Sequence, residues 1–399
     1  MDAWVPYGCY WSTPFARWQG SFATLHALKF AGHVSRAELA RRRIDAGEID
    51  YGVLGWSVPS VACFYGLPWL TGLVGADAAG GPSINQACAT SVRTLLTAAD
   101  EITAGRSKVA LVQCCDRLSN GPHLYYPNPR GPGGTGEAEN WVMDNFAADP
   151  LTGKAMVATA ENVAKRHGFT TAQQHEVVLM RQAQYDQACA DGNAFQKRYM
   201  TLPFDVPDSR FARNVGQLAG DEGLVPSTAE GLARLKPVLE GGTVTFGGQT
   251  HPADANAAML VTGRDKAREL SRDPAIAVRL CGFGQARVER AHMPEAPVPA
   301  AQQALQQAGI SLAQVAAVKT HNPFAVNDLY FAGITGMPLE KINNYGCSLI
   351  YGHPQAPMGL RGVMELIEEL VIRGGGYGLF SGCAAGDSAM ALVIKVGDA

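Results

Sequence analysis

The sequence predicts a layered α/β protein built from two similar halves, and three observations carry that expectation. The first 118 residues alternate short apolar runs with helical spacings in the order β-α-β-α-β. The last third of the chain repeats that alternation. Between Tyr51 and Val92 the one charged residue is Asp77, as expected of a deeply buried strand, helix and strand. Gly52, Gly55, Pro59, Gly66, Pro68, Gly72 and Gly75 interrupt this stretch before it supplies the roughly 20 clean apolar residues of a membrane span.

Composition narrows the class further. The chain has 399 residues, and at about 150 residues per domain that allows two or three domain-sized units. Apolar residues are 47%, charged residues 17%, and glycine numbers 45. Low charge with abundant glycine excludes a disordered chain and a coiled coil. A formal net charge of −3 offers no basic face for nucleic acid. The nine cysteines are odd in number and include no CxxC pair, so neither a disulfide framework nor a metal site is expected. Met1 to Pro6 shows no basic segment followed by an apolar one. Reduced thiols in a cytoplasmic protein are the expectation.

The elements follow in order. Residues 22–45 read as a helix with Leu25, Leu28, Ala31 and Val34 on one side. Asp50 to Gly55 reads as a short strand, 61–74 as a buried helix, and Ser83 to Asn85 as a short extended run. Val92, Leu95, Leu96, Ala99 and Ile102 have helical spacing that stops at Gly105, and Val109 to Gln113 is a buried strand. Residues 119–153 are punctuated by Pro, Gly and Asn, a long loop region of the kind that is usually functional. Helices are expected near 156–167 and 171–191. The last third reads as a helix at 298–308, a strand at 315–319, helices near 324–335 and 357–373, and strands at 377–383 and 388–396.

Three residues carry candidate chemistry. Cys88 lies between a buried strand and a helix, among small neighbours that let a substrate approach. The amides of a helix N-terminus favour negative charge, so a thiolate is stabilised there and can act as a nucleophile. His353, in a Gly- and Pro-rich turn, is placed to take a proton from Cys88. Cys383, in a small-residue turn after a strand, suits a second acid/base role. Each of the three, taken alone, also fits a buried structural residue.

Together the signals resemble the thiolase family over almost the whole chain. Ser12 to Arg17 looks like its N-terminal RTPFG segment, and Asn85 to Ser91 like NxxCxSG with Ser91 in place of the glycine. Thr159 to Ala164 matches TAENVA, and Gly242 to Thr245 resembles GTVT. Gly352-His353-Pro354 matches GHP, with Gly359 and Arg361 at the expected spacing, and Cys383 falls where the C-terminal cysteine belongs. The resemblance implies the thiolase fold: two βαβαβαββ halves in five layers (αβαβα) with an inserted loop domain. The halves would be 1–118 with 245–270 and 271–399, the loop domain 119–244.

It also implies a mechanism. Cys88 carries the acyl group, His353 activates it, and Cys383 moves the α-proton of an acyl-CoA. One oxyanion hole uses the backbone amides of Cys88 and Ala385, the other His353 with a water held by a neighbour. That neighbour is His321 here, where the family's usual motif has asparagine. Thr250 keeps a serine-like contact to coenzyme A, the substrate; no resident cofactor is implied.

Other departures bear on the substrate. The histidine implied to contact short acyl chains is absent from Ala155-Met156-Val157. The loop carries Tyr125, Tyr126, Arg130 and Trp141, which with Trp11, Phe15 and Trp18 are expected to line an aromatic or bulky acyl pocket. Arg117 or Arg130 is expected to pair with a carboxylate. The thiolases that cleave benzoylsuccinyl-CoA in aromatic degradation fit this pattern, and they work with a small zinc-binding OB-fold partner. A homodimer or a dimer of dimers, formed through the N-terminal half, is implied, the uncharged stretch supplying part of the interface. The alternatives are a decarboxylating condensing enzyme of the ketoacyl-synthase kind and a thiolase-like scaffold subunit of an acyltransferase complex.

Overall fold

The computed structural model describes residues 2–398. One half-sheet runs in the order Ser83–Ile84, Tyr51–Gly55, Val109–Arg117, Ala253–Thr262; its first three strands are parallel and the last is antiparallel to its neighbour. The other runs Val315–His321, Gly376–Ala384, Ser388–Asp398, Ile276–Arg287, with the first pair parallel and the rest antiparallel. The short strand Ala3–Trp4 pairs with Ala253–Thr262 on one side and Ile276–Arg287 on the other, joining the half-sheets edge to edge.

Helices Thr90–Thr103 and Ala356–Ile372 fill the space between the half-sheets. A single core unites Leu95 and Ala98, Leu360 and Val363, Val112 and Met259, and Phe380 and Leu392. Outside, Leu28 and Leu70 of helices Ala27–Arg42 and Leu67–Val74 cover Leu111 and Leu260. On the far side, Ala304 and Phe331 of helices Pro297–Ala308 and Ala325–Thr335 cover Val318, Leu379 and Val393. The result is five layers, αβαβα.

Strand Val109–Arg117 shows why the charge content is low. Ala110, Val112 and Cys114 face the inner core, and Val109, Leu111 and Cys115 the outer one. A strand covered on both faces is apolar where it crosses the core, and its one buried charge, Asp116 near the strand end, is held by four hydrogen bonds. The inner helices pack closely: a Cβ on Gly359 would stand 2.9 Å from Ser91 Cβ, and one on Gly362 2.7 Å from the Phe380 ring. That closeness offsets the roughly 1 kcal/mol each helical glycine costs.

The uncharged stretch is not buried throughout. The helix expected from residue 61 starts at Leu67, because Ala62 (φ 60°) and Gly66 (φ 55°) are left-handed and break the run. Val61, Phe64 and Tyr65 in that break are exposed, Phe64 by 93%. The helix expected over 22–45 spans Ala27–Arg42, capped by the His26 side chain and ended by left-handed Arg43. The long strands Ala253–Thr262 and Ile276–Arg287 are additions that the pattern does not announce, since the first is alanine-rich and poor in residues that favour strands.

Residues 119–252 carry two hairpins, the helices Met156–His167 and Thr171–Asn193, and connecting turns. Buried Arg361 ties this region to the inner helix. It donates to Asp221 at 2.7 and 2.8 Å and to Glu365 at 3.0 Å, and lies 3.6 Å over the Tyr351 ring. Among the described residues, no helix is long and apolar enough to cross a membrane.

Candidate functional site

Four chain segments converge where the half-sheets meet. Cys88 lies in the single turn Ala87–Ala89 that runs into helix Thr90–Thr103. The turn is sharp: Ala87 has φ 44°, its N–H donates to Asn85 Oδ1 at 2.9 Å, and its carbonyl accepts from Thr90 Oγ1 at 2.6 Å. His353 precedes the other inner helix, its N–H donating to the His251 carbonyl at 2.8 Å. His321 ends strand Val315–His321, and Cys383 lies on the adjacent parallel strand, beside the Gly382 that pairs with His321.

The side chains meet. Cys88 Sγ lies 3.1 Å from His353 Nε2 and 3.1 Å from Gln355 Oε1. Cys383 Sγ lies 3.5 Å from His321 Nδ1 and accepts from Asn327 Nδ2 at 3.4 Å. The two imidazoles sit between the sulfurs with ring centroids 4.2 Å apart.

Burial dominates the electrostatics. It pushes the Cys88 thiol up to about 12, opposed by the backbone N–H groups of Ala385 and Cys88 itself. It pushes Cys383 well above the usual thiol range, with the nearby Cys88 charge adding to the rise. It holds His353 well below the ordinary imidazole value, with His321 adding to the fall, and brings His321 down to about 4. At neutral pH the set is therefore two thiols and two neutral imidazoles. His321 Nε2 and His353 Nδ1 are buried without a hydrogen-bond partner among the described residues. One donor atom from each of Cys88, His321 and His353 lies within 4.8 Å of the others.

A cavity of about 590 Å³ opens onto Cys88, His353, Gln355, Ala385 and Gly386. One wall is the apolar cluster of Val58, Leu118, Val142, Trp141 and Phe146. Met156, Val157, Met293 and Phe324 form the other. Thr250 lines the cavity and donates its hydroxyl to the Ser348 carbonyl at 2.5 Å.

Several expected lining residues are elsewhere. Arg117 is turned toward the carbonyl oxygens of Ala23 and Asn120, at 3.1 and 3.5 Å, and does not line the cavity. Arg130, Tyr125 and Tyr126 are exposed on the loop. Trp11 and Phe15 are core residues, Trp11 donating to Ser35 Oγ at 3.1 Å and Phe15 packing edge-on against Tyr351. Of the expected aromatics, Trp141 alone reaches the cavity, held by its Nε1 donating to the Ser57 carbonyl at 2.8 Å. An aromatic residue in a sequence does not say whether it faces the core, the solvent or a cavity.

Pattern reading missed Gln355, Asn327 and Asp116. Asp116 accepts from Ser57 N, Ser57 Oγ, Val58 N and Ala356 N at 2.7–2.9 Å, so it pins both the cavity wall and the start of the inner helix. Its burial raises it to about 7.

The match to known families decides the identity of this arrangement. The family model "Thiolase, N-terminal domain" matches residues 11–265, and "Thiolase, C-terminal domain" matches 275–396. The chain belongs to the thiolase family. Acetyl-CoA acetyltransferase IA of Candida tropicalis is 28% identical, over 97% of this chain and 96% of its own. A 3-ketoacyl-CoA thiolase of Aliivibrio fischeri is 29% identical, over 96% and 93%. The crystal structure of the Bacillus anthracis acetyl-CoA acetyltransferase superposes with a TM-score of 0.88 at 24% identity, covering 99% of this chain and 98% of that one. The five-layer architecture is thus the thiolase fold, and the converging cysteines and histidines lie in a thiolase scaffold.

Proposed function

We propose that this thiolase-family enzyme cleaves a 3-oxoacyl-CoA with coenzyme A through an acyl-enzyme on Cys88. The observation that carries this reading is the 3.1 Å contact between Cys88 Sγ and His353 Nε2 at the floor of the cavity, with the Cys383–His321 pair beside it.

His353 takes the Cys88 proton as sulfur attacks the 3-keto carbon. The amides of Cys88 and Ala385, which already point at this sulfur, receive the developing oxyanion. The carbon–carbon bond breaks to leave an enolate of acetyl-CoA, whose oxygen is held by His353 and His321. Cys383 gives its proton to the α-carbon, and the Asn327 N–H supports the sulfur left behind. The coenzyme A thiol gives its proton to the Cys383 thiolate as its sulfur takes the acyl group, and His353 returns its proton to the Cys88 sulfur, restoring all three groups. Thr250 contacts coenzyme A as it enters; the reaction uses it as substrate and needs no resident cofactor.

The acyl group we infer is apolar and larger than acetyl. The support is the wall of Val58, Leu118, Trp141, Val142 and Phe146. Among the described residues, neither Lys nor Arg lines the cavity, and its one carboxylate is Asp149. A dicarboxylic acyl group would find no cation there. We also propose a homodimer that covers exposed Val61, Phe64 and Tyr65; light scattering that gives a monomer mass would refute it.

Incubation with 3-oxoacyl-CoA is expected to add the acyl mass to the peptide bearing Cys88. Full turnover by Cys88→Ala would overturn the mechanism. Decarboxylating condensation is the second reading, favoured by the two histidines beside Cys88. Loss of acyl-CoA α-proton exchange in Cys383→Ala supports thiolysis; unchanged exchange supports condensation.

A further inference from the structure

We propose that Gln355 is a catalytic residue whose side-chain amide holds Cys88 in both of its protonation states, accepting from the thiol through Oε1 and donating to the thiolate through Nε2. This rests on the reading of Cys88 as the nucleophile.

The contact is direct: Oε1 lies 3.1 Å from Cys88 Sγ, and Gln355 lines the cavity. A terminal amide torsion is broad and roughly two-fold, so a half-turn exchanges oxygen for nitrogen with almost no change in shape. The protonated sulfur needs an acceptor and the ionised sulfur needs donors; an amide offers both from one position. The proton itself passes to His353 Nε2, and Gln355 gains and loses none.

The backbone gives the second observation. Gln355 has φ 62° and ψ −108°, a conformation that glycine adopts freely and side-chain-bearing residues avoid. The strained residue is held from several directions. The His353 N–H donates to the His251 carbonyl, and the Ala356 N–H donates to Asp116 Oδ2 at 2.9 Å. The Ser91 hydroxyl donates to the Ala356 carbonyl. Ser91 lies three residues beyond Cys88, at the start of the helix that the Cys88 turn runs into, so the segment that carries the nucleophile also clamps the segment that carries the amide. Such a clamp preserves strain at a functional position.

The third observation is the shortage of other stabilisation. Cys88 is faced by neutral His353 and His321, by Cys383, and by the buried Asp116 carboxyl, whose charge opposes a thiolate. The opposing donors are the two amides of Cys88 and Ala385. A third N–H from Gln355 adds to them where burial disfavours the anion.

The test is the pH profile of Cys88 alkylation by iodoacetamide, read by peptide mass so that the other cysteines do not interfere. It is run on the full chain and on Gln355→Met, which removes the amide at similar volume, and Gln355→Gly, which also relieves the backbone. Both variants are expected to alkylate about 10-fold more slowly near neutral pH, with the profile shifted up by about one pH unit. Gln355→Gly is expected to keep or raise the thermal midpoint, which separates the amide's role from a structural one. Gln355→Glu is expected to shift the profile further upward, since a carboxylate accepts but repels the thiolate. Wild-type rates and profile in both Met and Gly variants would overturn the proposal. Failure of the wild type to form an acyl-enzyme, with the alkylation shift intact, would remove the functional reading and leave this contact standing.

Discussion

The two halves use one frame for different chemistry. In the first, strand Ser83–Ile84 leads through a tight turn into inner helix Thr90–Thr103 and out to strand Val109–Arg117. In the second, the bridge of Ile342 to Val318 leads into helix Ala356–Ile372 and out to strand Gly376–Ala384. Both turns contain a left-handed residue with a side chain, Ala87 at φ 44° and Gln355 at φ 62°. The first turn presents Cys88 and the second presents His353 and Gln355. The returning strands diverge as well. Near its end one carries Asp116, locked by four hydrogen bonds, and the other carries Cys383, with Asn327 and His321 beside its sulfur. The frame brings two inner-helix N-termini to one cavity, and the residues placed there differ: a cysteine on one side, a histidine and a glutamine on the other.

Breaking the first half's turn has the largest expected effect. Cys88→Ala should lower kcat by about 10⁴-fold or more and abolish the acyl adduct. The second half's strand end should separate from it cleanly. Cys383→Ala is expected to lower α-proton exchange by about 10³-fold while a preformed acyl-CoA still acylates Cys88, as mass spectrometry of the intact chain would show. If both substitutions block acylation equally, the division of labour between the halves is wrong.

Arg361 tests how the inner helix of the second half is joined to the inserted region. Arg361→Met removes the cation beside buried Asp221 while Glu365 keeps Lys319 at 2.8 Å, and the expected loss is about 3–5 kcal/mol in a denaturant melt. Trp141 belongs to the wall over the first half's turn. Trp141→Ala should change the ratio of kcat/KM between long and short acyl substrates by about 10-fold. A ratio that does not move would place the acyl chain elsewhere.

Apart from its place at the enolate oxygen, His321 shows in stability as a slope against pH. Burial holds it down to about 4 in the folded chain, against an ordinary 6.5 when unfolded. Between those values the unfolded chain binds the extra proton, so this stability is present above pH 6.5 and is lost as pH falls toward 4. His321→Asn should flatten that loss by up to about 1.4 kcal/mol per pH unit. His353 contributes in the same direction and remains in the variant.

Much of this was legible because local patterns carried it. Cys88, His353 and Cys383 each stand among small residues at the edge of a regular element. Trp141 was legible as a lining residue, but Tyr125, Tyr126, Arg117 and Arg130 were not separable from it by composition. Which way a side chain turns depends on partners such as the carbonyls of Ala23 and Asn120, which no local pattern contains. Gln355 and Asn327 were illegible for a related reason. Each is an ordinary polar residue until a sulfur from a distant segment arrives beside it.

Periodicity and small-residue turns thus indicated a layered α/β chain, because elements covered on both sides are largely apolar, while the five layers came from the resemblance and two long strands emerged only in the structure. Tertiary packing alone decided the chemistry. The Cys88–His353 contact joins residues 265 positions apart, and the Cys383–His321 contact residues 62 apart. The same packing removes them from water, and that burial sets their proton affinities.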